Sequence, residues 1–278
     1  SVWETDELLH KKHQDPQLRI AACGRSAETG CLYAGVVNDL HRAAGRSGVG
    51  TVMASKNLKA LAVRGTRGVG NIKDPARFME TTREQKQVLA DHPVTGEGLP
   101  TLGTQVLMNV INETGALPTR NMREVKFDGA NKISAEQMLE VRKTDGRPNL
   151  TTNAACFGCT IACGRISTID QGHFTVENKP QYWGNSGGLE YEAAWALGAD
   201  TGVDDLDTLT YANFLCNEDG FDPITFGATV AAAMELFDIG AITTKDTGGM
   251  EFNFGSAEAL AWAAEKVATG EGFGAELA

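Results

Sequence analysis

Cys156, Cys159 and Cys163 place three thiols within eight residues in a C-x-x-C-x-x-x-C spacing, half of the six cysteines in the chain. Gly158 lies inside the run and Gly164 follows it. Thiols this close suit a soft metal, because neighbouring sulfurs must converge on one centre while the backbone turns tightly between them. A C-x-x-C pair alone fits a zinc knuckle or a redox dithiol. The third cysteine, four residues on, favours a [4Fe–4S] cluster over zinc or an incidental grouping. Radical-SAM enzymes use the opposite order, three residues and then two. A fourth ligand is needed. Cys23 and Cys31 lie in the β-containing N-terminal piece, and Cys216 sits in a helical pattern as a buried core thiol would.

Three further stretches carry chemistry-capable residues. Arg42 to Gly50 is basic and glycine-rich, and bare backbone N–H groups with guanidinium forks match phosphate geometry. It has neither the Gly-Lys-Ser/Thr of a Walker loop nor a G-x-G-x-x-G order, and a structural glycine turn reads equally well. In Gly187 to Glu192 two carboxylates, Glu190 and Glu192, flank Tyr191 and offer a general base. Acidic residues also gather at helix N-termini for dipole reasons. Asn217-Glu218-Asp219-Gly220-Phe221-Asp222 reads as a helix closing on a left-handed glycine cap, with or without a further role. The five histidines are scattered, none at metal-ligand spacing.

The 278 residues leave room for about two domains. A net charge of −11 argues against nucleic acid or an anionic membrane surface as the main partner. No apolar run approaches the roughly 20 residues that cross a bilayer; Ala228 to Met234 is the best and is interrupted by Thr229. The opening is polar and charged, unlike a signal peptide, and the cysteines do not form a secreted disulfide framework, so a reducing, cytoplasmic setting is expected. There is no initiating Met, and the last residues open another apolar pattern after a glycine-rich turn, so a fragment of a longer protein is expected.

The elements that must position these groups fall into two zones. Residues 1–15 read as a helix capped at Thr5 or Asp6. Leu18 to Cys23, Leu32 to Val37 and Leu58 to Arg64 read as strands, separated by the glycine turn at 24–30 and the loop at 41–50. Beyond about residue 70 the pattern is helical. Asp74-Pro75 is a start signal, and Ser134 with Gln137 forms a capping box beside an Ile133–Met138 staple. Asp204 or Asp205 caps a helix carrying Leu206, Leu209, Ala212 and Leu215, and helices follow at 223–238 and at 256–269, the latter capped by Ser256. The expected fold class is α+β: the end of a β-rich N-terminal domain (1–68) followed by mostly α-helical domains (69–278).

Taken together, the stretches at 42–66 (RAAGRSGVGTVMASKNLKALAVRGT), 156–165 (CFGCTIACGR), 188–198 (GLEYEAAWALG) and 213–236 (NFLCNEDGFDPITFGATVAAAMEL) resemble the aldehyde:ferredoxin oxidoreductase family of tungsten enzymes. The resemblance covers essentially the whole chain. It implies a tungsten bis-pyranopterin (or its molybdenum analogue) beside a [4Fe–4S] cluster, with Cys156, Cys159 and Cys163 as three cluster ligands and the fourth beyond residue 278. It makes Arg42, Ala43, Gly45 and Arg46 pterin-phosphate contacts, the Ala43 carbonyl binding a bridging magnesium. Asn217, Gly220, Phe221 and Asp222 match the family's Asp-x-x-Gly-Leu-Asp/Cys pterin motif, with Asn for Asp and Phe for Leu. Gly24 to Glu28 departs from the family's G-x-A-G-E turn, and Ala54 stands for a usual glycine.

The activity so implied is oxidation of an aldehyde with water to a carboxylic acid. Glu192 would be the base, assisted by Glu190 or Tyr191, and a partner histidine would lie in the missing C-terminal part. Electrons would leave through the cluster to a ferredoxin or an iron–sulfur electron-transfer subunit, and homo- or hetero-oligomers are compatible with this scheme. The alternatives are a related tungsten enzyme that reduces an acid or an aromatic acyl-thioester, and a non-catalytic iron–sulfur or zinc module.

Overall fold

The computed structural model describes all 278 residues. Ser1 starts α1 (Val2–His13) with a capping box, its hydroxyl accepting the Glu4 N–H at 3.2 Å while the Glu4 carboxylate takes the terminal amine at 2.7 Å. The cap is therefore Ser1 and not Thr5 or Asp6. Thr5 is already in the first turn, its hydroxyl donating back to the Ser1 carbonyl at 2.8 Å.

Four antiparallel strands follow in the order β3-β2-β1-β4: β1 (Arg19–Cys23), β2 (Val36–Asn38), β3 (Arg42–Ala44) and β4 (Ala60–Val63). The turn expected at 24–30 contains a short helix, α2 (Arg25–Thr29), and the loop expected at 41–50 divides into edge strand β3 and the start of α3 (Val49–Ser55). Of the strand expected at 32–37, the sheet takes up only its last two residues. Ala34 bridges Phe221 instead, and the Gly35 N–H bonds to the Gly220 carbonyl at 2.7 Å, so this stretch is turned away from the sheet toward the helices.

Asp74 caps α4 (Pro75–Asp91) by accepting the Arg77 N–H at 3.0 Å, as its Asp-Pro start predicts. This helix has no fully buried residue, and one side borders the cysteine loop at 158–161. Short helices α5 (Leu99–Leu102), α6 (Leu107–Thr114) and α7 (Ala135–Leu139) come next. The Ser134 hydroxyl accepts the Gln137 N–H at 3.3 Å, and the staple residues Ile133 and Met138 are both buried. A second antiparallel sheet, β5 (Leu150–Ala154), β6 (Gly164–Ser167) and β7 (Ser186–Gly187), lies inside the zone read as helical. Its strands LTTNA and GRIS lack the apolar alternation by which strands are recognised.

Helix α8 (Tyr191–Ala194) runs into a wide π-helical turn at Trp195–Ala199. Asp205 caps α9 (Leu206–Asp219), Asp222 caps α10 (Pro223–Asp238) and Ser256 caps α11 (Ala257–Thr269), and α12 (Phe273–Leu277) closes the fold. Helix α9 is buried on nearly every side and forms the axis of the helical part. One core of 41 buried residues joins Cys23, Cys31, Tyr33 and Ala34 to α9, α10 and α11, and a smaller one of five residues lies between α1 and the first sheet. The Tyr33 hydroxyl donates to the Leu277 carbonyl at 2.5 Å, which ties the β segment to the last helix. The architecture is mixed α+β, and no helix is long and apolar enough to cross a membrane.

Candidate functional site

A cavity of about 470 Å³ opens where β3, the second sheet, α8, α9 and the start of α10 meet. The β2–β3 register, Val37 opposite Ala43 and Asn38 opposite Arg42, carries His41, Arg42 and Ala43 to the sheet edge that forms one wall. Glu190 comes from the cap position of α8 and Glu192 from its first turn, Asn213 and Asn217 from successive turns of α9, and Arg165 from β6. Two glycines keep the wall thin. A Cβ on Gly187 would come within 2.3 Å of the His41 Cβ, and one on Gly188 within 2.2 Å of the Ser167 hydroxyl.

Two guanidiniums dominate the electrostatics. Arg42 Nη1 donates to Glu190 Oε1 at 3.2 Å, and Glu190 Oε2 accepts the Thr104 hydroxyl at 2.6 Å. Arg42 Nη2 is buried without a hydrogen-bond partner and lies over Gly164, where a Cβ would stand 1.7 Å away. Arg165 is 2 % exposed; its Nη2 donates to the Leu99 carbonyl at 3.1 Å and its Nη1 to the Thr101 carbonyl at 3.3 Å and to Asn153, leaving Nε unpartnered. Burial pushes Arg165 below its ordinary value, with the Glu190 carboxylate opposing, yet a guanidinium stays charged. Burial, and then the Arg42 charge, lowers His41 below its ordinary value and favours its neutral form. The two unpaired nitrogens are sealed against the Gly164 and Gly103 backbone, so it is the field of the two buried charges that suits an anionic ligand in the cavity.

The cysteine loop joins β5 to β6. Cys156 and Cys159 are exposed, Cys163 is half-buried, and Phe157 projects fully into solvent. Gly158 and Ala162 both take left-handed backbone (φ 72° and 55°), and through this turn the Ile161 N–H reaches the Cys159 sulfur at 3.4 Å. The Ala162 and Ile161 amides hold the Cys159 thiol below its ordinary value. The donor chemistry suits a thiolate-bound cluster, while no group of three or more His, Cys, Asp or Glu side chains stands arranged as a complete metal site. Cys23, Cys31 and Cys216 are buried in the core, away from this loop.

The stretch at 217–222 serves the cavity and the scaffold together. Asn217 lines the cavity and its amide donates to the Gly187 carbonyl at 3.4 Å. Gly220 ends α9 in the left-handed cap conformation (φ 73°) that its sequence predicts. Phe221 is buried, edge-on to Tyr33 and Phe226. Asp222 caps α10 by accepting the Thr225 N–H at Oδ2 at 2.9 Å, and Arg46 Nε approaches the same oxygen at 3.7 Å. Gly45 sits against the same Asp222 carboxylate.

Arg42, Ala43, Glu190, Glu192 and Asn217 thus meet in one cavity; Gly45, Arg46, Gly220, Phe221 and Asp222 do not line it. Glu192 is exposed at the rim and accepts the Trp195 indole N–H at 2.6 Å. Tyr191 packs against the core, and burial together with the Glu192 charge raises its phenol. Thr104, Arg165, His41 and Asn213 were not singled out from sequence. Only Arg165 carried a signal, two residues after the last clustered cysteine.

Fold and cavity together define an α+β chain with an arginine-lined cavity beside a thiol loop. The family description "Aldehyde ferredoxin oxidoreductase, N-terminal domain" matches residues 1–65, and "Aldehyde ferredoxin oxidoreductase, domains 2 & 3" matches residues 80–278. A tungsten-containing aldehyde ferredoxin oxidoreductase of Pyrococcus horikoshii is 42% identical over 280 residues, and that of Pyrococcus furiosus 41% identical over 278, covering 100% of this chain and 43% of each relative. The WOR-like subunit of a Pyrococcus furiosus aliphatic sulfonate oxidoreductase is 27% identical, over 92% of this chain and 38% of its own. Among solved structures, the BamBC active-site complex of benzoyl coenzyme A reductase shares the fold with a TM-score of 0.73 at 20% identity, over 99% of this chain and 40% of that one. The chain belongs to the aldehyde ferredoxin oxidoreductase family and spans less than half the length of the curated relatives it matches.

Proposed function

We propose that this chain forms the cofactor-holding part of an oxidoreductase that converts aldehydes to carboxylic acids, with a tungsten bis-pyranopterin in the Arg42–Glu192 cavity and a [4Fe–4S] cluster on Cys156, Cys159 and Cys163. The supporting observation is that one cavity gathers Arg42, Ala43, Glu190, Glu192 and Asn217 and leaves an unpaired guanidinium nitrogen beneath the cysteine loop. The bound groups would supply the two-electron acceptor and its one-electron outlet. Aldehyde plus water gives the carboxylic acid, two protons and two electrons, and the electrons leave to a ferredoxin or an iron–sulfur subunit.

The chain's own side chains would bind, orient and move protons. Arg42 and Arg165 would counter the negative charge of the pterin phosphates, the Ala43 carbonyl would help hold a magnesium ion, and Asn217 would hydrogen-bond the heterocycle. Glu192 would take the proton from the attacking water at one carboxylate oxygen while the Trp195 indole fixes the other. Elemental analysis of the purified full-length protein, with aldehyde-dependent viologen reduction, tests this. Tungsten, about four irons per protomer and dye reduction are expected for one such cluster; zinc without iron, tungsten or molybdenum would sink the reading.

A further inference from the structure

The segment Leu99–Thr104 touches Arg165 directly and reaches Arg42 through Glu190. The Leu99 and Thr101 carbonyls accept directly from Arg165, and Gly103 (φ 65°) passes so close that a Cβ there would stand 2.1 Å from Arg165 Nε. One residue on, the Thr104 hydroxyl donates to Glu190 Oε2 at 2.6 Å and accepts the Tyr191 N–H, at the first turn of α8, at 3.0 Å. Glu190 Oε1 in turn accepts from Arg42 Nη1 at 3.2 Å. Both oxygens of Glu190 are therefore engaged, and Arg42 Nη2 and Arg165 Nε are the guanidinium nitrogens left buried without partners.

We infer that Thr104 and Glu190 are positioning residues that fix the Arg42 guanidinium between the cavity and the cysteine loop, so that segment 99–104 sets both cofactor-facing cations from one shelf. The inference rests on the reading that the cavity takes the pterin. Glu190 touches Arg42 and Thr104 and acts through them, leaving Glu192 as the carboxylate at the rim. A free arginine side chain loses much rotamer freedom on binding a ligand, and a clamp that has already ordered it removes that cost. Outer partners that orient metal ligands are worth about 10–100-fold in affinity, and an effect of the same order is expected of partners that orient a phosphate-binding arginine.

The test compares full-length T104V, T104S, E190Q, R42M and the T104V/R42M double variant, reading pterin and tungsten retained per protomer together with the thermal midpoint. T104V is expected to retain about tenfold less cofactor, T104S to match wild type, and E190Q to fall with T104V. The double variant should retain no less than R42M alone, because the two act on one interaction. Full retention in T104V, or losses that multiply in the double variant, would overturn the inference while leaving the pterin reading intact. A wild-type protein without pterin and tungsten would overturn both. If T104V lowers the midpoint as well, E190Q, which keeps the side-chain shape and the Thr104 link, decides: full retention there overturns the clamp.

Discussion

Arg25 clasps the Asp219 carboxylate through two hydrogen bonds, Nε to Oδ1 at 2.5 Å and Nη2 to Oδ2 at 3.0 Å. Asp219 is fully buried, whereas the Arg25 side chain is 44% exposed. The pair, with the Ser26 hydroxyl donating to the Asp219 and Gly220 carbonyls, fastens the N-terminal segment to the end of α9, from which Asn217 enters the cavity.

The two halves of that pair should respond unequally to mutation. R25M leaves a buried carboxylate uncompensated and is expected to cost about 2–4 kcal/mol, the exposed arginine end discounting the full buried-pair figure. D219N leaves a cation that can turn to water and is expected to cost less. Urea denaturation of both variants checks the order, and the reverse order would show that solvent already screens the carboxylate.

For E192Q, tungsten and iron contents should stay at wild-type levels while turnover falls by about 10²–10⁴. Metal analysis beside aldehyde-dependent dye reduction measures both. Turnover within about tenfold of wild type would remove Glu192 as the base.

A buried acid gives a pH signature. Asp200 is fully buried beneath a left-handed turn at Arg120, Asn121 and Met122 (φ 48°, 54° and 61°); its Oδ1 accepts the Met122 N–H at 3.2 Å and its Oδ2 has no partner. Burial raises its carboxyl to about 6, from an ordinary 3.8. The folded value lies above the unfolded one, so this stabilisation is complete below about pH 4 and is lost as pH rises through about 6, a change of about 3 kcal/mol. D200N should therefore be more stable than wild type at pH 7.5 and lose that advantage at pH 4. Thermal midpoints at the two pH values decide, and an equal effect at both would refute a buried charged carboxylate.

Thiol reactivity should follow the burial pattern. In iron-free protein under native conditions, Cys156 and Cys159 should be alkylated readily, Cys159 first because its amide contacts favour the thiolate. Cys23, Cys31 and Cys216 should react only after denaturation, since burial raises all three thiols, Cys31 to about 11. Mass spectrometry after timed alkylation reads the order, and early labelling of Cys216 would contradict the packing of α9.

Sequence made the capped helices legible because their signals are local: Asp74-Pro75, Ser134, Asp205 and Ser256 each cap the helix expected of them. What escaped was non-local. Leu32 to Gly35 left the sheet because Gly220 and Phe221, nearly two hundred residues on, offered better partners. The second sheet is held by pairing between polar strands, and propensity is silent on that. In the cavity, charged residues beside glycines drew attention to Arg42, Glu190 and Glu192, whereas Asn217 entered only through the family resemblance. Thr104 was invisible, since a lone threonine has no pattern until a fold carries it to a carboxylate.

Gly24 and Gly220 meet main chain to main chain: a Cβ on Gly24 would lie 2.0 Å from the Asp219 carbonyl oxygen, and one on Gly220 2.7 Å from the Gly24 nitrogen. A crowded side chain can be relieved by shortening its neighbour elsewhere in the sequence, but a crowded backbone cannot. Evolution has no compensating second change to offer at this seam. The flanking helices can drift while these two positions stay fixed, and a variant library of the protein should return glycine alone at both.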